Sequence, residues 1–272
     1  MIDKHMNMNT DLKVTPLLSD SDDPLPMCMK RMNAEQKRKW DAAYGPKNQK
    51  FHEAELTGSE LVRWKYQRYM KDYLRCIKAV DDSVGSLVSC LKENGLDRNT
   101  VVIYCSDQGF YLGEHGWFDK RWMYEESLKM PFIIRWPDVI KAGTNRTEMI
   151  QNIDYAPTFL EIAGMKAPDD VQGVSFAPIL RERVPKDWRT SIYYHYYEYP
   201  IWHRVQKHRG VRTERYKLIH FYPVGEWEMY DLKKDPHEMQ SVYDDPAYTS
   251  VKKELEVELA RLTKMYKVPA ID

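Results

Sequence analysis

An uninterrupted run of apolar and β-branched residues occupies Thr100–Cys105 (TVVIYC). Such a run is typical of a strand that is covered on both faces, as in a parallel sheet. A second run follows at Met130–Trp136 (MPFIIRW) and ends at Pro137. An amphipathic helix is predicted over Asp154–Ala163, where Gly164 ends it. This order of strands and helices predicts an α/β fold.

The segment before the first run is predicted to be largely helical. Residues 1–57 are interpreted as an irregular and helical lead-in, in which Asn33 caps the start of a helix. Thr57 and Glu60 have the spacing of a capping box, and a long helix with one buried face is predicted after them. The apolar positions of this helix include Val62, Tyr66, Ile77, Val80 and Leu87. Residues 58–185 are interpreted as the α/β core.

The last part of the chain has a different pattern. Strands are predicted at Ser191–Tyr199, Gly210–Phe221 and Glu226–Leu232, with no helical pattern between them. A charged amphipathic helix is predicted over Tyr248–Tyr266. Residues 186–272 are therefore interpreted as a small α+β subdomain, an antiparallel sheet with a C-terminal helix.

The overall charge excludes several classes of protein. The chain has 41 Lys and Arg residues and 41 Asp and Glu residues, so its formal net charge is zero. A strongly basic nucleic-acid-binding protein is therefore not expected. No apolar run is long enough for a membrane span, and Met1–His5 leads into no apolar signal-peptide segment. The four cysteines have no zinc-binding spacing and are interpreted as free thiols.

One segment departs from this neutrality. Residues 181–220 contain 10 basic and 4 acidic residues, a local net charge of +6, and four of the eight histidines. A basic segment on a neutral protein indicates a small anionic ligand rather than a polyanion. The alternative is a solvated surface that is balanced by residues 221–272, which have 7 basic and 11 acidic residues.

Polar side chains follow the first predicted strand directly. Asp107 and Gln108 lie at its carboxyl end, where ligands bind in α/β sheets. Their oxygens suit a hard cation such as Ca²⁺ or Mg²⁺, although an aspartate here is also a common turn former. The glycine-rich segment Phe110–Lys120 favours a functional site because it gathers charged and aromatic side chains. Lys120 and Arg121 would neutralise an anion beside the metal.

Several segments, in family order, resemble the C-terminal half of the sulfatase family, in the alkaline-phosphatase superfamily. They include SDQGFYLGEHGWFDK at Ser106–Lys120, YEESLKMPFIIRWP at Tyr124–Pro137 and HRGVRTERYKLIHFYP at His208–Pro223. The resemblance covers about residues 60–270. It implies the C-terminal part of an alkaline-phosphatase-like α/β sheet, followed by the α+β subdomain. Bacterial enzymes acting on sulfated sugars, including N-acetylglucosamine-6-sulfatases, are the most similar in pattern.

The resemblance implies roles for residues of the glycine-rich segment. Asp107 and Gln108 match the second pair of Ca²⁺ ligands, although Asn or His is more usual than Gln at the second position. Lys120 matches the lysine that contacts the sulfate oxygens and assists departure of the leaving group. His115 lies in the same loop and is expected either to contact the substrate or to order the loop.

The basic segment at residues 181–220 matches the part of the sulfatase fold that lies over the rim of the active site. His203, His208 and Arg209 are therefore expected to contact the sulfated sugar. Arginine suits this role because its guanidinium group donates paired hydrogen bonds to oxyanions. For each residue the alternative is a structural position at the edge of the sheet. His203 and His208 alone do not make a convincing zinc site.

The family's nucleophile pattern is absent from this sequence. Formylglycine is made from Cys or Ser in the pattern Cys/Ser-x-Pro-x-Arg, and neither the cysteines nor the serines of this chain match it. The family's N-terminal Asp-Asp metal pair and mid-chain histidine are also absent. We therefore expect a sulfatase fragment with an incomplete Ca²⁺ shell, whose formylglycine lies in a missing N-terminal half. The isolated chain is expected to be inactive and poorly soluble.

Three functions remain open from the sequence. The first is a sulfuric ester hydrolase acting on a sulfated sugar or glycan, with the missing N-terminal half as its partner. The second is a phosphoric or phosphonic ester hydrolase of the same superfamily. The third is a non-catalytic chain that binds anionic glycans through residues 181–220. No nucleic acid and no membrane span are expected, and the resemblance implies a periplasmic or secreted location.

Overall fold

The structure is a computed structural model that describes Val14 and residues 31–199 and 205–270. Within these ranges, no helix is both long and apolar enough to cross a membrane. The cysteines in the same ranges are exposed free thiols, as predicted, at Cys76, Cys90 and Cys105.

The described residues form two compact units. One unit contains Gly85–Tyr111 and the chain from Asp119 onward. The other contains the described residues up to Val84, together with Leu112–Phe118. The predicted metal ligands, the predicted lysine and the C-terminal sheet all belong to the first unit.

Two helices precede the first strand. Helix α1 (Ala34–Glu53) begins where it is predicted to begin, because Asn33 and Gln36 form a capping box with two hydrogen bonds of 2.9 Å. Helix α2 (Gly58–Glu93) confirms the predicted long helix. The prediction that its apolar face is buried is wrong, since Leu87, for example, is 67% exposed. Helical spacing shows which side of a helix is apolar, but it does not show whether the same chain covers that side.

The two apolar runs form a pair of strands. Strand β1 (Val102–Cys105) pairs with a strand at Phe132–Arg135, and the two are antiparallel. The parallel pairing predicted from the apolar run is therefore wrong. Both strands are only partly covered, and Ile133 is 65% exposed. An apolar run indicates burial but contains no information on the direction of the neighbouring strand.

Short elements lie between and after these two strands. Strands β2 (Tyr111–Leu112) and β3 (Phe118–Asp119) pair with each other, and a short helix α3 (Glu125–Leu128) follows them. The strand at Phe132–Arg135 is β4. Helix α4 (Tyr155–Ile162) follows and confirms the predicted amphipathic helix. A single-turn helix α5 spans Ala177–Leu180.

The C-terminal part is an antiparallel sheet covered by a helix, as predicted. Its strands pair in the order β5 (Ser191–Tyr196), β6 (His208–Thr213), β7 (Tyr216–Phe221) and β8 (Glu226–Asp231). Helix α6 (Thr249–Met265) packs on one face of this sheet. The apolar core between them contains Val211, Leu218, Met229, Leu255, Leu259 and Leu262.

One predicted strand is in fact two strands. The segment Gly210–Phe221 contains a tight turn that separates β6 from β7. The hydroxyl of Thr213 closes the turn, because it accepts a hydrogen bond from the N–H of Tyr216 at 2.9 Å and donates to its carbonyl at 3.1 Å. The turn residues, Glu214 and Arg215, are not the Gly, Asn or Pro that usually mark a turn in a sequence.

Candidate active site

The loop after β1 presents the two predicted metal ligands. The side chain of Asp107 is 88% exposed, and that of Gln108 is half-buried. The hydroxyl of Ser106 donates a hydrogen bond to the carbonyl oxygen of Gln108 at 2.7 Å. A tight loop therefore displays a carboxylate and a carboxamide at the carboxyl end of β1.

Lys120 lies beside Asp107. Its Nζ is 3.4 Å from Oδ2 of Asp107, and its side chain is 30% exposed. An ion pair this exposed contributes at most about 1 kcal/mol to stability. The ion pair therefore matters for position rather than stability, because it places the ammonium group of Lys120 next to the predicted metal ligand Asp107.

Ser127 connects the two loops, a role that no pattern in the sequence indicates. The side chain of Ser127 is fully buried in α3. The Nε2 of Gln108 donates to the Ser127 carbonyl oxygen at 2.6 Å and to its Oγ at 2.7 Å. The N–H of Arg121 donates to the same Oγ at 3.3 Å. The N–H of Gly109 donates to the Ser127 carbonyl oxygen at 3.0 Å.

The backbone on both sides of Lys120 is strained. Asp119 has a φ of 91° and Arg121 a φ of 109°, a region that favours glycine. The Arg121 guanidinium group forms an ion pair with the Asp119 carboxylate. The hydroxyl of Tyr194 on β5 donates to the carbonyl oxygen of Arg121 at 2.7 Å. Strain of this kind persists only where the surrounding structure fixes it, and it is concentrated at functional sites.

A buried ionic cluster holds the start of α3 against the C-terminal sheet. The Nζ of Lys217 is 3.0 Å from Oε1 of Glu125 and 2.6 Å from Oε1 of Glu238. Arg212 donates to both carboxylate oxygens of Glu125, at 3.2 and 3.0 Å. Burial opposes the ionisation of Glu125, but Lys217 and Arg212 outweigh it and hold its pKa at about 2. Burial raises the pKa of Glu238, although Lys217 acts against this effect.

Asp107 and Gln108 are chemically suited to Ca²⁺ as one part of its coordination shell. Both offer side-chain oxygens, and because Nε2 of Gln108 is bound to Ser127, its Oε1 is the atom left to face a cation. Ca²⁺ takes about six to eight oxygen ligands. Among the described residues, no group of three or more His, Cys, Asp or Glu side chains is arranged to hold a metal. The residues present therefore fit part of a calcium site.

His115 belongs to the other compact unit, which includes Leu112–Phe118. Its φ is 56°, and its ring stacks on that of Trp117 with a centroid distance of 5.2 Å. This conformation fits the expected loop-ordering role as well as it fits a substrate contact. Its contact with the substrate, the catalytic alternative, stays a prediction.

The burial of His208 argues against its expected contact with the sugar. Its side chain is fully buried, and its ring stacks on Trp122 and Tyr194 with centroid distances of 5.6 and 5.5 Å. Its Nδ1 is 2.7 Å from the carbonyl oxygen of Gln206. Burial lowers the pKa of His208 to about 4, so the ring is neutral and structural. His203, the other histidine of this prediction, lies outside the described residues.

Arg209 lies on the opposite face of β6 from His208, in a row of basic and aromatic residues. In the register of the sheet it pairs with His195 on β5 and with His220 on β7, and Trp227 on β8 pairs with His220. Burial, and then the charge of Arg209, lower the pKa of both histidines to about 4. Arg209 also lines a cleft of about 550 Å³ beside α6. Its contact with a sugar stays a prediction.

Two family models match this chain. The sulfatase model matches residues 27–165, and the model for the C-terminal part of N-sulphoglucosamine sulphohydrolase matches residues 113–265. Each match covers more than half of the 272 residues. The chain belongs to the sulfatase family.

Individual relatives agree with this assignment. The N-acetylglucosamine-6-O-sulfatase of Bacteroides thetaiotaomicron is 46% identical over 272 residues, which cover 98% of this chain and 49% of that protein. The solved structure of BT4656 in complex with its substrate D-glucosamine-2-N,6-O-disulfate is 44% identical, with a TM-score of 0.88, over 98% of this chain and 56% of that chain.

A more distant relative is the multifunctional alkaline phosphatase superfamily protein PehA of Trinickia caryophylli, 32% identical over 219 residues, which cover 74% of this chain and 41% of that protein. The similarities confirm the expected alkaline-phosphatase-like sulfatase fold. This sulfatase chain spans about half the length of the relatives it matches.

Proposed function

We propose that this chain forms the C-terminal part of a sulfatase that removes sulfate from a glucosamine-type sugar. The observation that carries the proposal is the ammonium group of Lys120, 3.4 Å from the carboxylate of Asp107, at the strand end that also holds Gln108. The substrate class is supported by the relative named N-acetylglucosamine-6-O-sulfatase and by the BT4656 structure, whose substrate is D-glucosamine-2-N,6-O-disulfate.

In this proposal, Lys120 binds the sulfate group. Its ammonium group donates hydrogen bonds to the sulfate oxygens, and its charge offsets the negative charge that develops on the bridging oxygen as the S–O bond breaks. The overall reaction consumes one water molecule and yields the sugar alcohol and inorganic sulfate. A lysine that is partly shielded, as Lys120 is, acts more strongly on a bound anion than a fully exposed lysine does.

Asp107 and Gln108 would hold Ca²⁺, which polarises the sulfate group when bound. We propose that the other oxygen ligands and the formylglycine nucleophile belong to the part of the sulfatase fold that the chain does not cover. A polypeptide equivalent to that part is accordingly the proposed partner.

Inorganic sulfate released from N-acetylglucosamine 6-sulfate, measured by ion chromatography, tests the proposal. The chain is assayed alone with CaCl₂, and also after co-expression with the unmatched part of the Bacteroides thetaiotaomicron N-acetylglucosamine-6-O-sulfatase. We expect sulfate release from the co-expressed pair. Lys120→Ala should lower its rate by about 10²- to 10³-fold, the range for loss of one stabilising donor.

The exposed Lys141 supplies a matched control. Lys141→Ala removes the same charge away from the site and should leave the rate unchanged. Sulfate release that is equal in the two alanine variants would contradict the role of Lys120. A reconstituted pair that folds, contains formylglycine and releases no sulfate would contradict the proposed function itself.

Hydrolysis of a phosphate or phosphonate ester is the second candidate function. The similarity to PehA, which is described as a multifunctional alkaline phosphatase superfamily protein, favours testing it. The ammonium group of Lys120 would bind any tetrahedral oxyanion. The same assay with N-acetylglucosamine 6-phosphate and a phenylphosphonate ester discriminates the two, because a higher kcat/KM on either phosphorus substrate favours the second candidate.

A further inference from the structure

We propose that Ser127 is a positioning residue that holds Gln108 and Lys120 in one arrangement. The inference rests on the proposed function, in which these two residues face the metal and the sulfate. The side chain of Ser127 is fully buried, so this residue acts on the metal and the sulfate only through Gln108 and Lys120. It acts through four hydrogen bonds, two to its hydroxyl and two to its carbonyl oxygen.

The first effect is on the orientation of the Gln108 carboxamide. The terminal torsion of a glutamine has broad and roughly two-fold minima, so its oxygen and nitrogen exchange places easily. The hydroxyl of Ser127 is 2.7 Å from Nε2 of Gln108 and accepts from it, while the Ser127 carbonyl accepts from the same nitrogen at 2.6 Å. Two acceptors around Nε2 select the orientation in which Oε1 faces away from α3. Without the hydroxyl, one of these two anchors is lost.

The second effect is on the backbone that presents Lys120. The N–H of Arg121 donates to the Ser127 hydroxyl at 3.3 Å, and the carbonyl of Arg121 accepts from Tyr194 at 2.7 Å. These contacts hold a residue whose φ of 109° is unfavourable for a side chain larger than glycine. The hydroxyl of Ser127 thus fixes the strained residue next to Lys120 at the same time as it fixes Gln108.

Ser127 can serve as an anchor because α3 is itself held firmly. Glu125, two residues earlier, is bound by Lys217 at 3.0 Å and by Arg212 at 3.0 and 3.2 Å. The loop of Gly109 packs directly on α3, since a Cβ at Gly109 would overlap the carbonyl oxygen of Glu126. The loops are therefore positioned relative to a buried and ion-paired helix.

Amide hydrogen exchange in the full chain provides a readout that does not depend on metal or activity. Ser127→Ala removes the acceptor of the Arg121 N–H but keeps the carbonyl acceptor of the Gly109 N–H. We expect the Arg121 amide to exchange about fivefold faster, the factor for one ordinary hydrogen bond, while the Gly109 amide exchanges as before. Equal acceleration at both amides would indicate general loosening and would overturn the proposal.

The calcium affinity of the co-expressed pair, measured by titration calorimetry with CaCl₂, provides the second readout. Ser127→Ala should weaken the binding of Ca²⁺ by about 10- to 100-fold, as loss of an outer-shell partner typically does. Ser127→Thr keeps the hydroxyl and should restore most of the affinity. If the alanine variant does not fold, Ser127→Cys replaces it, because the thiol is similar in size and a weaker acceptor.

Thr158 supplies the matched control. Its hydroxyl is also fully buried in the same unit, donates to the Asp154 carbonyl at 2.6 Å and accepts from the Phe176 N–H at 3.0 Å. Thr158→Val should destabilise the fold and leave both readouts unchanged. If it shifts them as much as Ser127→Ala does, the proposal is wrong.

The outcomes separate this inference from the proposed function. Calcium binding that is equal in the co-expressed pair with and without Ser127→Ala overturns the positioning of Gln108 and leaves the proposed function standing. No calcium binding by the unaltered co-expressed pair contradicts the proposed metal site, and with it the role of Ser127 towards Gln108. The exchange rate of the Arg121 amide decides the role of Ser127 towards Lys120 in every case.

Discussion

Lys217→Met removes the ammonium group that lies between two buried carboxylates. Lys217 is fully buried, with its Nζ 3.0 Å from Oε1 of Glu125 and 2.6 Å from Oε1 of Glu238. Methionine is flexible and of similar length, so the main change is the loss of a charge rather than of packing. Arg212 continues to neutralise Glu125, while Glu238 loses the cation that faces it.

The expected loss in the free energy of unfolding at pH 7 is about 3–5 kcal/mol, the usual effect of leaving a buried charge without its partner. In the unaltered chain, the pKa of Glu125 is lowered from 4.5 to about 2, so the stabilisation linked to it is present above pH 4.5 and is lost as the pH falls towards 2. Between pH 5 and pH 7 the relevant group is Glu238, whose pKa is raised by burial and lowered by Lys217. Removing Lys217 raises the pKa of Glu238 further, so this carboxylate protonates more readily in the variant and the deficit should be smaller at pH 5 than at pH 7.

Urea unfolding followed by tryptophan fluorescence at pH 7 and pH 5 measures both quantities. Adding Glu125→Gln and Glu238→Gln to Lys217→Met should recover most of the loss, because no buried charge is then left unpaired. Lys233→Met, at an exposed position of the same subdomain, is the matched control and should change little. A loss below about 1 kcal/mol for Lys217→Met at pH 7 would refute the reasoning.

His208→Phe should make the chain less sensitive to acid: the pKa of His208 is lowered to about 4, so its contribution is lost as the pH falls from 6.5 to 4. Between pH 7 and pH 4, the free energy of unfolding should fall by about 3 kcal/mol more in the unaltered chain than in His208→Phe. An equal fall in both chains would contradict the assignment. Gly109→Ala should destabilise by about 1–3 kcal/mol in thermal or urea unfolding through its overlap with Glu126. Gly85→Ala, within α2 and without a close neighbour, should stabilise the chain by about 0.5–1 kcal/mol. A Gly85→Ala variant that is less stable than Gly109→Ala would contradict the packing described.

The parts of the fold that depend on local pattern could be predicted from the sequence. Alternating aromatic and polar residues identify the strands of the C-terminal sheet, and amphipathic spacing identifies α6 (Thr249–Met265). The proximity of Asp107 and Lys120 was also foreseen, since both lie in one short loop region after β1. Local chain connectivity limits how far apart such residues can be.

The features that depend on distant partners could not be predicted. Ser127 is an ordinary serine in an acidic segment, and its role appears only when Gln108 and Arg121 converge on it. Lys217 alternates with apolar residues in a strand, so nothing local indicates that it is buried between carboxylates. His208 lies in a basic segment, and charge counts cannot show that aromatic rings enclose it.

The contact between Gly109 and α3 also limits how this gene can change. The position has no room for a Cβ, because that atom would overlap the carbonyl oxygen of Glu126 and lie 2.7 Å from that of Ser127. Every amino-acid replacement adds at least that atom, so selection should restrict this codon to synonymous third-base substitutions. Asp107, whose side chain is 88% exposed, has no such steric limit, and only its chemistry can restrain its codon. Two neighbouring positions of one loop are thus expected to be conserved for unrelated reasons.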